Sequence, residues 1–121
     1  MSFAARHRRA LRLLFCAATA FAFVMAIDPH PPHIPGEPGD KFQHMAAFAT
    51  LSALAAAAWP ERRYAAIGLA LSYFGAIIEI VQAIPALHRD CDVMDWVADT
   101  AAVILVLVAA ALVRKRFGRT A

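Results

Sequence analysis

Nowhere in these 121 residues do 18 apolar residues follow one another without a break. The simplest signature of a membrane-crossing helix is therefore missing. Cysteine is scarce, with only Cys16 and Cys91. They fall near opposite faces of the layout derived below, so one chain cannot bridge them. Cys16 follows Leu13-Leu14-Phe15. The bulky Phe15 and the short apolar run before it argue against lipidation of this cysteine. No internal repeat and no long linker occurs, so the chain reads as one domain. No nucleophile stands beside a general base and no complete metal-ligand motif is present, so no cofactor is expected.

What the chain does have is apolar mass. Its hydrophobic content is 61% and its mean hydropathy +0.57, whereas about half apolar is usual for a soluble domain. A domain this small has too little interior to hide the excess. Alanine accounts for 29 residues, which suits helices that approach one another closely. Four apolar segments emerge, at 11–27, 42–59, 64–84 and 93–113. The last two reach spanning length only by including Glu79, Gln82, Asp95 and Asp99. Pro60 and Pro85 follow the second and third segments, where proline ends a helix at little cost. The expected fold is all-α, a bundle of four transmembrane helices.

Basic residues set the orientation. Arg6, Arg8, Arg9 and Arg12 precede the first segment, Arg62 and Arg63 join the second to the third, and Arg114, Lys115, Arg116 and Arg119 follow the fourth. Only Lys41 and Arg89 fall on the other side. The positive-inside rule makes the basic side cytoplasmic, with both termini inside. Trp59, Tyr64 and Trp96 sit where interfacial aromatics are expected. The net charge of +3 then belongs to ends that face lipid headgroups, with no nucleic acid implied. A basic start, an apolar core and Val24-Met25-Ala26 also fit a cleaved signal peptide. That reading leaves three spans and the same sidedness.

The 28–39 stretch carries Pro29, Pro31, Pro32, Pro35 and Pro38, which preclude regular helix and favour an extended outer loop. The loop Pro60-Glu61-Arg62-Arg63 is minimal, so the second and third segments form a tight antiparallel hairpin. In the third segment, Gly68, Ser72 and Ala76 recur every fourth residue with Gly75 beside them. Such a stripe admits a neighbouring helix, and continued outward it turns Glu79 toward protein and away from lipid.

The polar residues that interrupt the apolar segments share the outer side. Asp40, Lys41 and His44 lie on one helix face, Glu79 and Gln82 on another, and Asp92, Asp95 and Asp99 on a third. Ionisable groups at a lipid-spanning helix cost several kcal/mol unless paired or solvated, and so mark function. Asp40, Glu79, Asp90, Asp92, Asp95 and Asp99 are six acids against Lys41 and Arg89, or −6 + 2 = −4 if all are ionised. Shared protons or a bound cation would relieve that repulsion, and ion pairs of Lys41 and Arg89 with Asp40, Glu79 or Asp95 are expected. The set forms a shallow pit open to the outside. Asp90 and Asp92 read as loop charges, Asp92 as a cap of the fourth helix. His30 and His33, with His44 or His88, lack a diagnostic zinc spacing.

Asp40-Lys41-x-x-His44 at one helix start, Glu79-x-x-Gln82 at the next helix end, then Arg89 and Asp95 opening the last helix resemble the VanZ-like membrane proteins. The resemblance covers about residues 40–102, and the four-span layout agrees over the whole chain. Asp99 stands where that family usually has Asn, and Ala102 where it usually has Gly. The family takes its name from a protein that raises resistance to the lipid-tailed glycopeptide teicoplanin. Some members carry the label phosphotransbutyrylase, yet nothing in this chain looks like a coenzyme A or acyl-phosphate site. The resemblance implies a multi-pass protein of the bacterial cytoplasmic membrane with a role in the cell envelope.

Three function classes follow. In the first, the pit formed by Asp40, Lys41, His44, Glu79, Gln82, Arg89, Asp95 and Asp99 binds a cell-wall precursor, a lipid headgroup or a lipoglycopeptide. In the second, a small membrane enzyme acts on a lipid-linked phosphate or ester. His44 or Glu79 is then the general base, Lys41 and Arg89 stabilise negative charge, and Asp95 holds a metal. In the third, the polar residues only staple a structural or partner-binding bundle. The acid excess favours the first two, and the missing nucleophile and metal motif favour the first. A transporter is disfavoured, because the inner half offers only Ser52, Ser72 and Thr50. A homo-oligomer of the chain is compatible with all of these.

Overall fold

The computed structural model describes residues 2–28, 40–87 and 92–117, leaving out the side chains of Asp40 and Lys41. The proline-rich loop 29–39, His88, Arg89, Asp90, Cys91 and Arg119 thus lie outside the described residues. Four helices account for nearly everything described, and no strand occurs among those residues: α1 Phe3–Ile27, α2 Asp40–Ala58, α3 Tyr64–Gln82 and α4 Val93–Phe117. A single 3-10 turn, Pro85–Leu87, follows α3. The architecture is the all-α bundle that the composition implies.

The helix ends have local causes. α1 begins at Phe3 rather than at 11, because the Ser2 hydroxyl caps it by accepting from the Ala5 N–H at 3.1 Å. The arginines of the basic start are therefore helical, in keeping with the good propensity of Ala and Arg. α3 stops at Gln82, two residues short of 84, where the Ala83 N–H bonds back to the Glu79 and Ile80 carbonyls. Asp92 opens α4, its Oδ1 accepting from the Met94 N–H at 2.9 Å, which bears out its reading as a cap. α4 runs on to Phe117, and Arg114, Lys115 and Arg116 in its last turn complement the negative end of the helix dipole.

Three of the helices, α1, α3 and α4, are long and apolar enough to cross a membrane. The apolar part of α2, Phe42–Ala58, is shorter. α2 compensates by enclosure, since Phe48, Leu51, Ser52, Ala55 and Ala58 are all buried. The outer surface is the reverse of a soluble protein's. Leu69, Ile80 and Leu105 are 73%, 70% and 69% exposed, and Ala26 is the only residue of α1 that is fully buried. Apolar faces of this extent need lipid around them.

The expected hairpin is present, with Phe48 of α2 against Phe74 of α3 at 5.9 Å between ring centroids, but it is not the main packing of either helix. The Arg62 N–H closes the turn onto the Trp59 carbonyl at 3.0 Å, but α2 packs most extensively against α4 and α1, and α3 against α4. A short loop fixes which ends meet, whereas the small residues decide which faces meet. A Cβ on Gly68 would stand 3.3 Å from Leu107 Cδ1 of α4, and one on Gly75 would stand 3.3 Å from Trp96 Cδ1 and 3.4 Å from Phe48 Cζ. We expect Gly75→Leu to drive the Trp96 ring out of this seam and to cost about 1–3 kcal/mol of stability, read by thermal unfolding in detergent. An unchanged melting temperature would refute the close approach of α3 and α4.

At the basic end, Arg12 ties α1 to α2. Its Nε donates to the Ala58 carbonyl at 2.9 Å, its Nη2 pairs with Glu61 Oε1 at 3.1 Å, and its guanidinium lies 5.4 Å over the Trp59 ring. Arg114 lies 4.6 Å over Tyr64, joining the end of α4 to the start of α3. Two of the aromatics expected at the interface, Trp59 and Tyr64, are thus platforms for arginines.

Candidate polar binding site

At the opposite end, α2, α3 and α4 each bring one or two ionisable side chains to the same place. One ligand-type atom from each of His44, Glu79 and Asp95 lies within 4.8 Å of the others. Asp99, one turn inside Asp95 on α4, places Oδ2 at 3.9 Å from His44 Nδ1. Helical spacing explains the arrangement. Glu79 continues the buried row Ile67, Leu71, Gly75 and Ile78 on α3, and Asp99 heads the buried row Ala102, Val103 and Leu107 on α4. The two carboxyls therefore sit at the outer ends of core stripes.

The cluster is more enclosed than a shallow open pit. Glu79 is 7% exposed and Asp99 2%, while His44 and Asp95 are half-buried. By helix rise, Glu79 lies about 4.5 Å from the end of α3 and Asp99 about 9 Å from the start of α4. Glu79 is fastened across the connection between these helices, its Oε2 accepting from the Asp92 N–H at 3.0 Å. Asp99 Oδ1 and His44 Nδ1 are buried without a hydrogen-bond partner among the described residues, an arrangement that costs stability unless something else satisfies them.

The other expected site residues divide. Gln82 is buried at 2% exposure and serves a helix end, its Nε2 donating to the Ala26 carbonyl in the last turn of α1 at 2.9 Å. Asp92 is exposed and occupied as a cap. Asp40 and Lys41 form the first turn of α2, and their side chains, like Arg89 as a whole, lie outside the described residues. The acids brought together are Glu79, Asp95 and Asp99, with His44 as their nitrogen neighbour.

A second polar set holds α3 to α4 beside the site. Trp96 Nε1 donates to the Ser72 carbonyl at 3.0 Å, and the Ser72 and Thr100 hydroxyls meet at 3.0 Å. Trp96 thus faces the α3–α4 seam. The signal for this pairing was present in the spacing, because Trp96 and Thr100 are four apart and adjoin the Asp95–Asp99 row. Deeper hydroxyls are satisfied within their own helices, Ser52 by the Phe48 carbonyl at 2.7 Å and Thr50 by the Ala46 carbonyl at 2.8 Å. Among the described residues, they and the Ser72–Thr100 pair thus have their hydroxyls occupied.

A groove of about 540 Å³ runs between α3 and α4 toward the basic end, lined by Tyr64, Gly68, Leu69, Val103 and Leu107 among others. Its walls are almost wholly apolar and it includes none of the clustered acids. Fold and cluster together define a small helical membrane protein with one enclosed ionisable centre. Compared with models of known families, with curated proteins and with solved structures, the chain matches none. Its resemblance to a family therefore rests on its own residues.

Proposed function

We propose that this chain is a VanZ-like, multi-pass protein of the bacterial cytoplasmic membrane whose outward-facing polar end binds a component of the cell envelope. The ligand classes are a cell-wall precursor, a lipid headgroup and a lipid-tailed glycopeptide. The observation that supports this reading best is the convergence of His44, Glu79, Asp95 and Asp99 from three helices at one end of the bundle. Packing is already secured there by Gln82 on Ala26, Trp96 on Ser72 and Ser72 on Thr100. Ionisable groups gathered near lipid from three separate helices are seldom kept without a use. Lys41 and Arg89, the outer bases of the same region, supply charge for a phosphate or carboxylate.

The test separates site from staple. Alanine at Lys41, His44, Glu79, Arg89 or Asp95 should leave membrane abundance nearly unchanged and raise susceptibility to a lipid-tailed glycopeptide. Gln82→Met is the control. It loses one buried hydrogen bond, costs about 1 kcal/mol of stability, and should leave susceptibility at the wild-type level. If abundance falls in step with the phenotype across the series, the residues are a staple and the proposal fails. Turnover of a labelled lipid-linked phosphate by the purified protein would move the reading to an enzyme with His44 or Glu79 as base.

A further inference from the structure

The identity of the donors, beyond their charge, points to what occupies the centre. His44, Glu79 and Asp95 offer one nitrogen and two carboxylate oxygens whose mutual separations do not exceed 4.8 Å. A triangle of that size puts its centre at most about 2.8 Å from each corner, so sub-ångström side-chain adjustments reach the ~2.0–2.2 Å of zinc–nitrogen and zinc–oxygen bonds. The three donors come from α2, α3 and α4, which hold them at separations that a single flexible loop would not maintain.

Asp99 supplies the independent observation. It is 2% exposed, its Oδ1 has no hydrogen-bond partner among the described residues, and its Oδ2 faces the His44 ring at 3.9 Å. A carboxylate hydrogen-bonded to a histidine orients the imidazole for a metal; at 3.9 Å the two groups are not bonded here, and an approach of under about 1 Å would join them. Glu79 also accepts from the Asp92 N–H, and a carboxylate has about four acceptor positions, so that bond and a cation are compatible. Mixed imidazole and carboxylate donors suit first-row divalent ions such as zinc and manganese.

We infer that the polar end holds one first-row divalent cation, ligated by His44, Glu79 and Asp95, with Asp99 as the positioning residue behind His44. The inference rests on the reading of this end as a binding site and names the ion through which an anionic envelope group is gripped. No sequence motif announces it, because the three ligands lie on three helices and 35 and 16 positions apart along the chain (44 to 79, 79 to 95).

The test uses the full chain purified in detergent without a histidine tag, stripped of metal and titrated with zinc chloride and, separately, manganese chloride. Elemental analysis after dialysis should find about one ion per chain, and calorimetry a micromolar or tighter site. His44→Ala and Asp95→Asn should each weaken binding at least about tenfold, and Asp99→Asn by about 10–100-fold, as loss of an outer partner does. Gln82→Met should bind as wild type does. Cobalt chloride adds a spectroscopic check, since visible bands from a nitrogen- and oxygen-ligated ion should vanish in His44→Ala. Helical circular dichroism confirms that each variant is folded, and Glu79→Gln replaces any that is not. Less than about 0.2 ion per chain, or binding undiminished in the His44→Ala/Asp95→Asn double variant, would overturn the inference. No envelope ligand enters this experiment, so its failure leaves the susceptibility result standing.

Discussion

Asp99→Val is expected to melt at a higher temperature than the natural chain and to lose the function of the polar end. Asp99 is 2% exposed, on the same α4 stripe as Ala102 and Val103. Its Oδ1 finds no hydrogen bond among the described residues, and its Oδ2 stands 3.9 Å from His44 Nδ1, too far for one. Removing a polar group from water without full compensation costs roughly 1–3 kcal/mol. Replacing a buried ionic group by an apolar residue of similar size is often stabilising by about 1–4 kcal/mol. Valine is only about one methylene larger than aspartate and would continue the apolar row of Ala102, Val103 and Leu107. Thermal unfolding in detergent, read beside glycopeptide susceptibility, checks both halves. A drop in stability of more than about 1 kcal/mol would make Asp99 a packing residue and sink the interpretation. Asp99→Asn is the companion measurement, since asparagine is what the resemblance leads one to expect there. If it keeps full susceptibility protection, the carboxyl group at 99 is dispensable.

The second large effect concerns sidedness. A fluorescent protein fused after Ala121 should fold and shine in living bacteria, and alkaline phosphatase at the same point should stay inactive. Alkaline phosphatase inserted between Gly36 and Glu37 should be active, by about tenfold or more over the C-terminal fusion, if the ten basic residues of one side face the cytoplasm. The bundle puts Arg12, Glu61, Tyr64 and Arg114 at one end and Ala26, His44, Glu79 and Asp95 at the other. One pair of fusions therefore reports the orientation of the cluster as well as of the termini. The opposite pattern would place the acids in the cytoplasm and end the envelope reading.

Much of this molecule is legible without coordinates because it depends on short-range rules. Helix number and type follow from apolar segments broken by Pro60, Pro85 and the proline-rich 28–39 stretch, and each proline acts on its own neighbours. The inward aim of Glu79 follows from 3.6-residue periodicity, which carries the small-residue stripe of α3 outward to it. The helix ends at Phe3 and Gln82 are less legible, because a Ser2 cap and a carbonyl bond to Ala83 shift them by local geometry.

What the sequence by itself determined is the class: an all-α chain too apolar for water, with basic residues at one side and acids at the other. Only the tertiary structure decided the partners. It sent Gln82 to the Ala26 carbonyl, Asp92 to its own helix cap, and Trp96 to Ser72. It left His44, Glu79, Asp95 and Asp99 together at the end of the core. The reason is that periodicity fixes which face of a helix a residue occupies, while the rotation and depth of each helix against its neighbours come from packing, through contacts such as Gly75 with Trp96 and Phe48.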